Sequence, residues 1–66
     1  QATGDNPSEY LQRVRIEVAK ELLRTTALTI AEIAHKTGFS DASYFSRTFN
    51  RYAEMKPNQY RKNTSA

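Results

Sequence analysis

The chain has 66 residues, 38% of them hydrophobic, so it can enclose one small core and has no room for a second. It has no cysteine and one histidine, which excludes disulfide frameworks and Cys/His metal sites and favours a reducing, cytoplasmic setting; no apolar run approaches the roughly 18 residues of a membrane span, and residues 1–10 lack a signal-peptide pattern. The net charge is +3, but residues 1–33 carry four basic and five acidic groups and residues 34–66 six basic and two acidic, so the second half favours an anionic partner.

A long first helix is predicted over residues 8–25, because Pro7 and Ser8 mark a start and no glycine or proline interrupts the segment. Arg15 falls inside the apolar arc of this helix, and burying a guanidinium without a partner is very costly. We therefore expect Arg15 to extend to solvent or to pair with Asp41 or Glu32, with direct ligand contact as the alternative. The arc should supply most of the core and contains Tyr10, Leu11, Val14, Ile16, Val18, Ala19, Leu22 and Leu23.

A short second helix and a tight corner follow. The segment 29–32, Thr-Ile-Ala-Glu, is a capping box in which the threonine hydroxyl and the glutamate side chain each accept from an otherwise unpaired amide. Gly38 supplies the left-handed residue that ends the helix. Ser40 or Asp41 then caps a third helix that is predicted to run to about Ala53.

The third helix is predicted to have one apolar and one polar side. Phe45, Phe49 and Tyr52 lie within about 60° of one another and form the stripe that should be buried. No acidic residue occurs between Asp41 and Glu54. The opposite side is polar and consists of Ser43, Ser46, Arg47, Asn50 and Arg51.

A last helical turn and a repeated phrase complete the pattern. Pro57 begins the turn "PNQYRK", in which Tyr60 should fold back onto the core, and residues 63–66 are predicted to be a disordered tail. The phrase Pro-x-x-Tyr occurs at residues 7–10 and again at residues 57–60. If the repeat is genuine rather than accidental, the chain begins at the end of one repeat and contains the whole of the next.

No group of residues suited to catalysis can be assembled, so the chain is not predicted to be an enzyme or to hold a cofactor. His35 lies outside the apolar face and has no cysteine or serine–acid relay to join it. A solvated surface histidine is the favoured interpretation, with a phosphate contact as the alternative. Gly4 and Gly38 are the only glycines, which excludes a glycine-rich phosphate loop.

Two helices joined at a glycine corner, the second with a polar outer side, are typical of a helix-turn-helix, in which the second helix enters the DNA major groove. Arginine can bond bidentately to guanine and asparagine to adenine, which makes Arg47 and Asn50 candidates for base contact. An ordinary solvated face is the alternative, but such faces usually mix Glu with Lys. The predicted fold is all-α, with a three-helix core and a short C-terminal helix.

The segments "PSEYLQRVRIEVAKELL", "TIAEIAHKTGFSDASYFSRTF" and "PNQYRK" resemble the AraC/XylS family of bacterial transcription regulators, over residues 4–62. The resemblance implies a homeodomain-like fold in which residues 8–25 link two helix-turn-helix units, residues 30–36 support the second unit and residues 41–53 form its recognition helix. It also implies that residues 1–7 are a remnant of the preceding unit and that residues 8–62 contain the linking helix and the second unit. The implied function is sequence-specific binding of double-stranded promoter DNA, usually to activate transcription, with a sensing or dimerisation domain outside this fragment.

The resemblance also implies site residues and exposes two departures. Glu54 stands where the family often has glycine and Lys56 where it often has serine or threonine, so we expect a longer or frayed end to the recognition helix. The implied base contacts are Ala42, Ser43, Ser46 and Arg47. The implied phosphate contacts are Thr29, Ser40, Asn50 and Arg51.

A protein-interaction module is the alternative function. The same basic surface could bind an acidic helix, for example on RNA polymerase, and activators of this family commonly touch polymerase as well. Binding to polymerase subunits in the absence of DNA would favour that alternative.

Overall fold

The computed structural model describes residues 7–64 and contains four helices: α1 (Pro7–Thr25), α2 (Ile30–Lys36), α3 (Ala42–Ala53) and α4 (Pro57–Thr64). Helix α1 packs against each of the other three, and α3 also contacts α2 and α4. The predicted all-α fold is confirmed, and residues 7–64 contain no strand. None of these four helices has both the length and the apolar character needed to cross a membrane.

The core is built around a row of aromatic rings. Phe45 and Phe49 are fully buried, as predicted, and their ring centres are 5.8 Å apart. Phe39 packs edge-on against Phe45 at 5.2 Å, and Tyr60 packs edge-on against Phe49 at 5.6 Å, so α4 does fold back onto α3. Tyr52 lies half-buried at the edge of this row. The remaining buried apolar side chains are Ile16, Ala19, Leu23, Ile33 and Ala34.

The predicted core face of α1 is wrong for its outer half. Ile16, Ala19 and Leu23 are buried, but Tyr10 is 64% exposed, and three other members of the predicted arc are between 40% and 48% exposed: Leu11, Val14 and Val18. The reason is geometric, because α2, α3 and α4 all pack against the side of α1 that carries Ile16, Ala19 and Leu23. These helices cover one side of α1 and leave the other open. We call Tyr10, Leu11, Val14 and Val18 the outer apolar face of α1.

The corner between α2 and α3 is closed by the expected caps. The Thr29 hydroxyl accepts a hydrogen bond from the Glu32 amide at 3.1 Å, and the Glu32 carboxylate accepts from the Thr29 amide at 2.8 Å, which confirms the capping box. Gly38 has a φ of +94°, as its place after α2 requires. Of the two candidate caps of α3, Asp41 is the one used, since its carboxylate accepts from the Tyr44 amide at 2.7 Å.

Helix α3 ends sharply, so the expectation of a longer or frayed end is wrong. Its last residue is Ala53, and Glu54 adopts left-handed backbone angles with a φ of 62° and a ψ of 26°. The Glu54 amide still donates to the Asn50 carbonyl at 2.9 Å. Glu54 thus adopts the left-handed conformation that ends the helix, although this conformation costs less free energy for glycine.

Helix α4 continues beyond its predicted end. The disordered tail predicted from residue 63 is wrong for Asn63 and Thr64, which complete α4. Residues 65 and 66 lie outside the described residues, and so do residues 1–6 of the predicted remnant.

The α4 side chain of Arg61 reaches the C-terminal end of α1, where Nε donates to the Leu23 carbonyl at 3.2 Å and a terminal nitrogen donates to the Thr26 carbonyl at 3.1 Å. Arg61 therefore satisfies carbonyls that the end of α1 leaves unpaired.

Arg15 is half-buried, but it pairs with neither of the predicted acids. The carboxylate of Asp41 is engaged in capping α3, and that of Glu32 in capping α2. The Arg15 guanidinium lies instead against Gly38 and 5.9 Å from the centre of the Phe39 ring. An arginine can occupy such a place because its flat, weakly hydrated head stacks on rings and backbone.

Candidate nucleic-acid interface

The side of α3 that faces away from the aromatic core carries only polar and basic groups. Ser43, Arg47, Asn50 and Arg51 are all exposed and lie within about 100° of one another around the helix axis. No acidic residue occurs within α3. We call these four residues the recognition face, and it offers hydroxyl, amide and guanidinium donors in one continuous ridge.

The predicted base-contacting residues divide into two pairs. Ser43 and Arg47 belong to the recognition face and are exposed. Ala42 and Ser46 are half-buried at its edge, because their positions on the helix fall between the ridge and the aromatic core. The structure therefore brings Ser43 and Arg47 to the centre of the ridge and leaves Ala42 and Ser46 at its border.

Thr29 and Ser40, which were predicted to contact phosphate, are both exposed and lie just before α2 and α3. The Thr29 oxygen accepts a hydrogen bond within its capping box, but a hydroxyl also has a proton to donate. That proton is available to an anion in front of α2.

Arg51 contacts an aromatic side chain. Its guanidinium carbon lies 5.6 Å from the centre of the Tyr52 ring, and that of Arg13, from α1, lies 5.9 Å from the same ring centre. An arginine stacked on a ring loses less side-chain freedom when it binds an anion. The ring of Tyr52 therefore presents Arg51 at one flank of the recognition face.

Tyr44 and Gln12 were missed by sequence reasoning. Tyr44 is 36% exposed and lies on α3 beside the recognition face, and Nε2 of Gln12 on α1 donates to its hydroxyl at 2.5 Å. No local sequence pattern predicts this contact, since the two residues are 32 positions apart. The only available signal was that a tyrosine hydroxyl near an apolar stripe usually finds a polar partner.

The described residues form no cluster suited to a metal ion. Within residues 7–64, no group of three or more His, Asp or Glu side chains is placed to hold a metal ion. His35 is exposed on α2. The arrangement is that of a basic, hydrogen-bonding surface on a rigid support.

Comparison with known proteins identifies the same kind of domain. A family described as "Helix-turn-helix domain" matches residues 1–63. The chain is 46% identical over 61 residues to the HTH-type transcriptional activator RhaR of Yersinia pseudotuberculosis, an alignment that covers 92% of this chain and 21% of that protein. The chain thus spans about a fifth of the length of this curated relative.

Two solved structures share both fold and sequence with this chain. The C-terminal domain of AraT, a response regulator from Geobacillus stearothermophilus, is 40% identical with a TM-score of 0.90, and the match covers 96% of this chain and 52% of that one. A transcriptional regulator of the AraC-type DNA-binding class from Chromobacterium violaceum is 31% identical with a TM-score of 0.93, and the match covers 98% and 58%. The chain belongs to the AraC family of helix-turn-helix transcription regulators.

Proposed function

We propose that this chain binds double-stranded promoter DNA in a sequence-specific manner, with α3 as the helix that enters the major groove. The observation that carries the proposal is the acid-free recognition face, which projects from a helix whose other side is locked into the core by Phe45 and Phe49. Ser43 and Arg47, at the centre of the ridge, read base edges, since arginine matches the two acceptors of guanine. Ala42 and Ser46 contact bases only at the border of the groove.

Phosphate contacts would flank this readout. Asn50 and Arg51 lie about one turn further along α3, and Thr29 and Ser40 lie at the starts of the two helices. These four groups are all exposed and carry donors, which is what phosphate oxygens need. Their role is to fix the position of α3 on the duplex without reading its sequence.

Arg47→Ala and Arg51→Ala should weaken DNA binding in different ways. We expect Arg47→Ala to cost about 1–3 kcal/mol and to relax preference at one base pair, and Arg51→Ala to weaken all sequences alike and to reduce the salt dependence. With roughly four phosphate contacts, log K for the unmodified chain should fall against log salt with a slope of about −3.6. Fluorescence anisotropy at low ionic strength, with a duplex selected from a random library and a scrambled duplex, measures all three quantities.

Two outcomes would contradict the proposal: binding that does not depend on salt, or identical changes in the two arginine variants. Binding to RNA polymerase subunits without DNA would favour the protein-interaction alternative instead. That alternative is not favoured by the relatives, which are DNA-binding regulators. Activation of transcription, by analogy with RhaR, is part of the proposal, as are a cytoplasmic location and dimerisation through a domain outside this segment.

We also propose that α1 links this unit to a preceding one, which covers the outer apolar face. A helix that is apolar around most of its circumference is normally buried on both sides. The matched segment makes up only 52% and 58% of two solved relatives. In addition, Tyr10 has the same place in its Pro-x-x-Tyr phrase as Tyr60, which packs against Phe49 at 5.6 Å. By this correspondence, Tyr10 packs against an aromatic side chain of the preceding unit.

Tyr10→Ala should therefore be nearly neutral in the 66-residue chain and destabilising in a longer chain that includes the preceding segment. The expected changes in unfolding free energy are within about 0.5 kcal/mol in the first case and about 2–4 kcal/mol in the second, as for a buried aromatic. Urea titrations of both chains measure the difference, with Tyr60→Ala as the control that should destabilise both. Equal effects of Tyr10→Ala in the two chains would contradict the linking role of α1.

A further inference from the structure

A group of five residues joins α1 to the corner between α2 and α3. We call Gln12, Arg15, Gly38, Phe39 and Tyr44 the corner cluster. Gln12 and Arg15 are one helical turn apart on α1, so both project toward the same neighbour. The Gln12 amide donates to the Tyr44 hydroxyl at 2.5 Å, and the Arg15 guanidinium lies 5.9 Å from the centre of the Phe39 ring.

The contacts connect the residues of the corner cluster into one continuous network. The rings of Phe39 and Tyr44 meet edge-on with centres 5.5 Å apart, which connects the Arg15 contact to the Gln12 contact. Gly38 belongs to this network because it lies against Arg15: a Cβ atom at that position would be only 3.1 Å from Nε of Arg15 and 3.2 Å from its Cζ. A side chain at residue 38 would therefore crowd the Arg15 guanidinium at its present position.

The corner cluster includes a directional contact between α1 and α3, which the other contacts that hold α3 do not provide. Phe45 and Phe49 hold α3 by apolar packing, which favours contact but depends only weakly on direction. The Asp41 cap is local to the first turn of α3 and does not connect α3 to α1. The hydrogen bond from Gln12 is directional and acts at Tyr44, beside the recognition face.

We infer that Gln12, Arg15 and Tyr44 are positioning residues, which set the angle of α3 relative to α1 and thereby the aim of Ser43 and Arg47. This inference rests on the proposed function of α3 in reading DNA. Because the cluster acts through orientation, its loss should reduce affinity and base preference without removing a phosphate contact. The alternative is that Tyr44, which is 36% exposed, touches DNA itself.

Three variants test the inference: Gln12→Leu, Tyr44→Phe and the two combined. Each single change should lower affinity for the selected duplex about 3- to 10-fold, as expected for one lost hydrogen bond, and the double variant should be no weaker than the weaker single one. The slope of log K against log salt should stay unchanged. Arg15→Lys should have a similar effect, since an ammonium cannot lie flat over Gly38 and Phe39. Gln59→Leu, an exposed glutamine on α4, is the matched control and should change nothing.

Residual dipolar couplings provide a readout that needs no DNA. In the free protein, α3 should change its orientation relative to α1 in Gln12→Leu and in Tyr44→Phe, and should keep it in Gln59→Leu. An unchanged angle in the first two variants would overturn the inference, whatever the DNA measurements show. Weaker binding in Tyr44→Phe but not in Gln12→Leu would also overturn it, because direct contact by Tyr44 would then explain the loss. If the angle changes but no chain prefers the selected duplex, the positioning role stands and the proposed function fails.

Discussion

Phe49→Ala should remove a large part of the free energy of unfolding and lower the urea midpoint of the chain. Phe49 is fully buried and is the centre of the aromatic row, in contact with both Phe45 and Tyr60. Truncating a buried phenylalanine costs about 3–5 kcal/mol, from lost transfer energy and from the cavity left behind. A domain of this size has a total stability of roughly 3–10 kcal/mol, so the loss is at least about a third of the total. Far-ultraviolet circular dichroism and a urea titration measure the folded fraction directly.

The matched control for this substitution is Tyr10→Ala in the same chain. It removes an aromatic ring of similar size from a position that is 64% exposed, so the unfolding midpoint should hardly move. If Phe49→Ala instead unfolds at the urea concentration of the unmodified chain, the aromatic row does not hold α3 and α4 together. In that event the support of the recognition face would have to come from the contacts of α3 with α1 and α2.

Exchanging residue types at the two left-handed positions should change stability in opposite directions. Gly38→Ala should destabilise the chain by about 1–2 kcal/mol, because φ is +94° there and a Cβ is strained in such a conformation. The contact with Arg15 adds little to this, since the flexible arginine can withdraw by a few tenths of an ångström. Glu54→Gly should stabilise the chain by about 0.5–1 kcal/mol, because relief of the strain at φ 62° outweighs the greater freedom of glycine in the unfolded state.

Urea titrations of the two variants and of the unmodified chain show whether each substitution raises or lowers the free energy of unfolding. The slopes of the unfolding free energy against urea should agree among the three, since no surface is newly exposed. Changes of the same sign in Gly38→Ala and Glu54→Gly would contradict the assignment of left-handed strain. The Glu54 position matters for the proposed function too, because it ends the helix that carries the recognition face.

Most helix boundaries could be predicted because their signals are local. The capping box at residues 29–32, the glycine at residue 38 and the prolines at residues 7 and 57 act within one helical turn of themselves. Local signals also left Ser40 and Asp41 as equal candidates for the cap of α3. The structure selects Asp41 through its bond to the Tyr44 amide, a matter of side-chain geometry that the sequence alone does not specify.

Predictions that depended on distant contacts were less successful. The outer face of α1 is apolar like its inner face, so periodicity could not tell which side the other helices would cover. Pairing of Arg15 with Asp41 or Glu32 was wrong, because both acids serve as the helix caps for which the sequence had already made them candidates, and the contact of Arg15 with Gly38 and Phe39 depends on how α1 packs on the corner. The chemistry of the recognition face could be predicted from residue types, whereas the half-burial of Ala42 and Ser46 followed from the exact rotation of α3.

The two hydrogen bonds from Arg61 also affect how this chain folds during synthesis. They join α4 to carbonyls of residues 23 and 26, which precede Arg61 by 38 and 35 positions. A nascent chain cannot form them until residue 61 has left the ribosome, so until then the Leu23 and Thr26 carbonyls must be hydrated. A truncated product that stops before residue 61 would therefore contain the whole sequence of α2 and α3 but lack these two bonds. The C-terminal end of its α1 would be more open to proteases.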